Sequence, residues 1–148
     1  MTKTLLTLVL VALFTTSASA DISITDPWAR ASILAARPGA AYLTIQSSED
    51  DKLIELSSPV AGKIMIHLIE TGTDGVNRMV HVKPLELPAS QKIVLAPGNM
   101  HLMMMGLEEK LKEGTNISIT LTFEKADPIT IEVPVLGVAA SGPEQASK

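Results

Sequence analysis

Cysteine is absent from the 148 residues, which removes thiolate metal sites, redox dithiols, thiol nucleophiles and disulfide staples together. Aromatic residues are scarce, at one Trp, one Tyr and two Phe, so packing is the default role for Trp28 and Tyr42. The segment Trp28-Ala29-Arg30 offers a lesser alternative as a partner contact. No run of Lys or Arg occurs, and 16 acidic side chains outnumber 12 basic ones. That balance disfavours nucleic acid, whose affinity depends on neutralised phosphates, and equally an anionic membrane surface. Only one apolar run stands out, Leu5 to Phe14, and it is too short to span a hydrocarbon core of about 30 Å. With Lys3 before it and Ala18-Ser19-Ala20 after it, the run reads as a secretory signal peptide over residues 1–20, cleaved before Asp21. The mature form then has 128 residues and 11 basic side chains, enough for one domain with a real core. Catalytic patterns are missing too: no Ser/His/Asp set, no phosphate-cradling glycine loop and no paired acids in a plausible cleft. Asp50-Asp51 and Glu108-Glu109 read as turn or surface carboxylates. The chain is not read as an enzyme.

What the sequence does have is a concentration of methionine and histidine. Six methionines follow residue 20, five of them from Met79 to Met105, and all three histidines lie between residues 67 and 101. The surrounding chain alternates apolar and polar residues with period two, at 41–45, 52–56, 64–69, 76–82, 117–124 and 129–135. Pro38-Gly39, Asp74-Gly75, Pro97-Gly98 and Glu113-Gly114-Thr115-Asn116 separate these runs. The pattern predicts an all-β, antiparallel sandwich or barrel over residues 21–136. Residues 107–113 allow a helical turn or two, and 137–148, with little to bury, reads as a flexible tail.

Met100-His101-Leu102-Met103-Met104-Met105 follows a Pro-Gly turn. As a strand it places His101, Met103 and Met105 on one face and Met100, Leu102 and Met104 on the other, the second set being core. A single methionine is ordinarily a core filler and a single histidine a hydrogen-bonded structural residue; three consecutive methionines beside a histidine weaken that reading. The second half of the constellation comes from residues 64–82. With a five-residue loop from Thr71 to Gly75, Glu70 pairs with Val76 and His67 faces Met79 directly, at a Cβ separation of about 5 Å. A two-residue Asp74-Gly75 turn instead sends Met79 to the face opposite His67. The longer loop is adopted here.

Two imidazoles and two thioethers form a neutral, soft-to-borderline donor set. It suits Cu(I), and offers little to Zn²⁺, Mg²⁺ or Ca²⁺. Thioethers need no deprotonation and cannot be lost to disulfides, although oxidation to the sulfoxide destroys the soft donor.

His67, then Met79 after eleven residues, then His101 and Met103 flanking Leu102, resemble the signature of the periplasmic copper(I) chaperones, the PCu(A)C-like family. Trp28-Ala29-Arg30, Ala41-Tyr42-Leu43, Asp74-Gly75-Val76 with Arg78-Met79, Pro97-Gly98 and Leu121-Thr122-Phe123-Glu124 carry the similarity across about residues 26–135. Leu68 stands where many relatives have methionine or glutamate, and Met100 where an aromatic is common. The resemblance implies a cupredoxin-like β-sandwich or Greek-key barrel and a periplasmic location. It implies one Cu(I) per chain at His67, Met79, His101 and Met103, and transfer to a membrane-bound oxidase subunit or assembly factor at the CuA site of cytochrome c oxidase. His81 shares the parity of Met79 and is the spare donor for a second or divalent copper site, against the plainer role of a solvent-facing histidine. Met105 stands similarly, and Met65 less so. Rival readings are an exported copper store or detoxification protein, a cupredoxin-type electron carrier, and a sandwich module that binds no metal. Blue copper needs a thiolate that this chain lacks, and the metal-free module requires the four donors to point to different places.

Overall fold

The computed structural model describes residues 20–143, so the signal-peptide reading of residues 1–20 falls almost wholly outside the described residues. The described residues form ten strands: β1 (Ile22–Arg30), β2 (Gly39–Ser47), β3 (Asp51–Ser57), β4 (Ala61–Thr71), β5 (Asn77–Val82), β6 (Leu85–Leu87), β7 (Lys92–Leu95), β8 (Met100–Leu107), β9 (Asn116–Phe123) and β10 (Ile129–Leu136). Their order is β5-β4-β8-β2-β1-β10-β9-β3-β6, with β7 also on β2. The order divides into two layers, β5-β4-β8-β2-β1 and β10-β9-β3-β6. They are joined where β1 and β10 run parallel at Ala29–Val135 and Arg30–Leu136. Every other strand pair is antiparallel. No α-helix forms among the described residues.

Period-two alternation builds the core between the layers. Ile45, Ile64, Ile66, Leu102 and Met104 from one layer meet Leu53, Ile119, Leu121, Phe123 and Val133 from the other in one buried cluster. Six of the predicted runs fall on β2, β3, β4, β5, β9 and β10. β1 escapes the pattern because Asp26-Pro27 interrupts it: Thr25 pairs with Thr44, but Trp28 pairs with Tyr42, leaving one extra residue on β1. Asp26 takes the left-handed conformation at this bulge, with φ 51°. Beyond it the faces exchange, so Ala29 is core while Trp28 points outward.

The helical reading of 107–113 is corrected. The Leu111 backbone instead exchanges hydrogen bonds with Ser32: its carbonyl accepts from Ser32 N at 3.0 Å and its N–H donates to Ser32 Oγ at 2.8 Å. Its side chain enters the core over Gly39, where a Cβ would lie 2.9 Å from Leu111 Cδ1. Apolar burial of Leu107 and Leu111 across an extended segment outweighs the local helix propensity. Composition alone also marks residues from Gly137 onward as tail, yet Ala140 is buried with Trp28, Tyr42 and Leu136. Arg30 ties it down, donating from Nε and Nη2 to the Ala140 carbonyl at 3.1 and 2.7 Å.

Asp51 anchors the opposite layer. Its buried carboxylate accepts from the backbone N–H groups of Lys52 at 2.7 Å, Lys125 at 3.0 Å and Ala126 at 3.0 Å. Burial pushes its pKa up, but the bonds from Ala126, Lys52 and Lys125, with the Lys125 charge, outweigh that and hold it below the usual carboxylate value. A carboxyl group with a depressed folded-state pKa stabilises the fold above its unfolded value, and that contribution is lost as pH falls through the folded one. Asp51→Asn therefore lowers the unfolding free energy at neutral pH by about 1–3 kcal/mol, and flattens the loss of stability below about pH 4. Urea denaturation across pH checks both; an unchanged acid limb contradicts the assignment. The faces of β8 make a second test. Met104→Ala, at a fully buried site, costs about 2–5 kcal/mol. Met105→Ala, on the exposed face, stays within about 0.5 kcal/mol.

Candidate metal centre

β4 lies between β5 and β8, and its register with each neighbour decides what gathers on its outer face. His67 is directly opposite His81 on β5 and directly opposite His101 on β8. Met65 faces Met103, whose other neighbour is Ala40 on β2. All three imidazoles therefore share a face with Met65, Met79, Met103 and Met105. Ile64, Ile66, Leu102 and Met104 turn inward. The histidine rings stand edge to face, with centroids 5.9 Å apart for His67–His81 and 5.9 Å for His67–His101.

The β4–β5 hairpin keeps the expected parity but not the expected register. Glu70 pairs with Arg78 rather than Val76, and Met79 faces Ile69 rather than His67. The reason is in the turn. Gly75 N–H donates to the Gly72 carbonyl at 2.9 Å and Gly72 N–H to the Val76 carbonyl at 2.9 Å. The loop is thus the three residues Thr73 to Gly75, with Gly75 left-handed at φ 75°. Asp74 reinforces it, accepting from Val76 N–H at 3.1 Å and pairing with Arg78 at 2.7 Å. An odd loop keeps Met79 on the histidine face, and the shift places it diagonally from His67. That diagonal is short: Met79 Sδ lies 3.1 Å from His67 Nδ1. Two donors bound to one ion at about 2.0–2.3 Å span a comparable separation.

Exposure rises steadily across the strands. His101 is buried at 8%, His67 is half-buried, and His81 is exposed. Met103 is half-buried, whereas Met79 is 53% exposed on β5, the edge of the layer. Burial, followed by the fields of His101 and His81, pushes the His67 pKa below the usual imidazole value. A depressed pKa keeps the ring neutral, with a nitrogen lone pair free for a cation. No group of three or more His, Cys, Asp or Glu side chains among the described residues is placed to hold an ion together. The donors available at this face are therefore imidazole pairs combined with thioethers. Sequence reasoning from the longer hairpin loop missed the direct His67–His81 pairing. The Asp-Gly dipeptide was its one visible signal, and it fixes a turn without fixing the loop length.

The family model of LpqE-like lipoproteins matches residues 22–135. Lipoprotein Lxx21020 of Leifsonia xyli subsp. xyli is 32% identical over 98 residues, which is 65% of this chain and 59% of that protein. The chain thus spans about three-fifths of the length of that relative. Among solved structures, the apo PCuAC domain of PmoF2 superposes with a TM-score of 0.71 at 25% identity, covering 85% of this chain and 98% of that domain. The Cu(I) form of DR1885 from Deinococcus radiodurans superposes at 0.58 with 29% identity, covering 76% of this chain and 78% of that one. No helix among the described residues is long and apolar enough to cross a membrane. Matched over most of its length and sharing their β-sandwich, the chain belongs to the LpqE-like family of PCuAC domains.

Proposed function

We propose that the chain is an exported copper carrier that holds one Cu(I) with His67, Met79, His101 and Met103 and passes it to an acceptor by ligand exchange. The observation that carries this reading is the register of β5, β4 and β8. It sets imidazoles and thioethers around His67 on one outer face, with His67 Nδ1 and Met79 Sδ 3.1 Å apart. Chain length between the donors does not matter once three adjacent strands carry them. Neutral thioether and imidazole donors leave the ion's single charge uncompensated, which favours the monovalent over the divalent ion and excludes hard cations. The Cu(I) form of DR1885, similar in structure to this chain, supports the same cargo.

Release follows from the same arrangement. On one flank of the site His101 is buried and Met103 half-buried, while Met79 stands open on an edge strand. An incoming acceptor ligand replaces the exposed thioether first, and the less exposed donors follow. No thiolate contributes, so an acceptor that offers thiolates outcompetes the site. The CuA centre of cytochrome c oxidase, which the sequence resemblance implies, is the acceptor proposed. Periplasmic export agrees with the lipoprotein relatives.

Anaerobic competition against a Cu(I) chelator tests the ligand set. His101→Ala and Met103→Ala each weaken binding by roughly tenfold or more, whereas Met65→Ala shifts it by less than about threefold. Unchanged affinity in both ligand variants removes the reading. Oxidation supplies a second prediction. Mild peroxide converts the exposed Met79 and Met105 to sulfoxide well before the buried Met104. Cu(I) affinity falls in step with the Met79 sulfoxide peptide measured by mass spectrometry, and Met105→Leu leaves that fall unchanged.

A further inference from the structure

The donors around His67 fall into two matching sets. β8 contributes His101 and, two residues on, Met103; β5 contributes His81 and, two residues back, Met79. His101 and His81 face His67 directly from opposite sides, with ring centroids 5.9 Å away in each case. Met103 and Met79 are its diagonal neighbours, one toward each end of β4. The outer face thus has a local two-fold arrangement about His67, and the four-donor Cu(I) set leaves one of its members, His81, unused.

The two halves differ in surroundings. The β8 half is shielded, with His101 at 8% exposure, whereas the β5 half is open, with Met79 at 53%. The chain leaves β5 at Val82 and enters β6, at the far edge of the other layer, at Leu85. A cavity of about 130 Å³ opens beside this crossing, lined by His81, Met65, Lys63 and Glu55 together with core residues. Water therefore reaches His81, and a ring there gains oxygen co-ligands that the β8 half cannot supply.

We propose that His81 and His67, with Met79 alongside, form a second coordination mode that takes divalent copper at the open edge of the sheet. Two imidazoles completed by water are the nitrogen and oxygen donors that suit tetragonal Cu(II), with a thioether as at most a weak axial ligand. Two imidazoles bound to one ion at about 2.0 Å place their ring centroids up to roughly 6 Å apart, so the His67–His81 spacing needs little adjustment. His67 belongs to both modes. The three rings do not close on one point, so the chain holds either the shielded Cu(I) set or the open Cu(II) pair. The inference rests on the Cu(I) reading of the same face.

The test titrates one equivalent of Cu(II) into the wild-type chain and His81→Ala and records electron paramagnetic resonance, with Cu(I) competition run in parallel. His81 is exposed, so its truncation leaves the core intact. The wild-type spectrum shows coupling to two nitrogens, and His81→Ala loses one of them. Its Cu(II) affinity falls roughly tenfold or more while its Cu(I) affinity stays within about threefold. Met103→Leu gives the opposite pattern, weakening Cu(I) and sparing Cu(II). An unaltered Cu(II) spectrum in His81→Ala overturns the proposal, as does an equal loss of both ions. Absence of Cu(I) binding by the wild-type chain instead overturns the carrier reading beneath it.

Discussion

β4 is hydrogen-bonded on both sides, and the two registers that hold it decide the chemistry of the whole outer face. Ile64 and Ile66 bury on its inner side, as Leu102 and Met104 do on β8. A one-residue slip of either strand would turn those side chains to water and bring histidine and methionine into the core. At about 25 cal/mol per Å² of apolar surface, the loss for several large residues amounts to many kcal/mol. The placement of His67, His101 and Met103 is therefore a by-product of core burial, and the metal need not be present to arrange them.

The parts of this that could be read from the sequence are those governed by period-two alternation. Met100 to Met105 declared its two faces because a strand has only two, and Met104 is indeed core while His101 and Met103 lie across from β4. Pairing offsets were harder. Asp74-Gly75 announced a turn, but whether two, three or five residues formed the loop depended on a hydrogen bond between Gly72 and Val76 that no residue type encodes. The parity survived and the register did not, so His81 took the place expected of Met79. β1 was hidden by Asp26-Pro27 at its bulge, and β6 and β7, with three and four residues, are too short to show alternation. Leu111 looked helical from its neighbours alone. Its partner, Ser32, lies 79 residues away.

The carrier proposed above must bind firmly and yet let go, and the gradient of exposure across β8, β4 and β5 suits both demands. In the proposed ligand set, the burial of His101 and the partial burial of Met103 would limit competition from water and strengthen ion–donor interactions. Burial also keeps His67 neutral at pH values where a free imidazole begins to protonate. The edge position of β5 does the reverse, leaving Met79 open to the donor of an approaching molecule in the proposed exchange. Salt bridges contribute little here. The nearby Arg78–Asp74 pair is exposed to solvent and steadies the turn.

The proposed site stands on the outside of a sandwich and not between its layers, an arrangement that would separate loading from folding. A metal centre built into the space between sheets would couple every exchange to the packing of the core, where even one methylene is felt. On the outer face, the proposed ligands are free to rotate toward or away from an ion without disturbing Ile66, Leu102 and Met104 in the core beneath them. The lack of cysteine fits the same division. Thiolate would bind copper more tightly and tune it for electron transfer, whereas thioether and imidazole hold it reversibly and survive an oxidising compartment without pairing. The fold supplies a platform, and three adjacent strands supply an outer surface suited to the proposed one-at-a-time exchange of ligands.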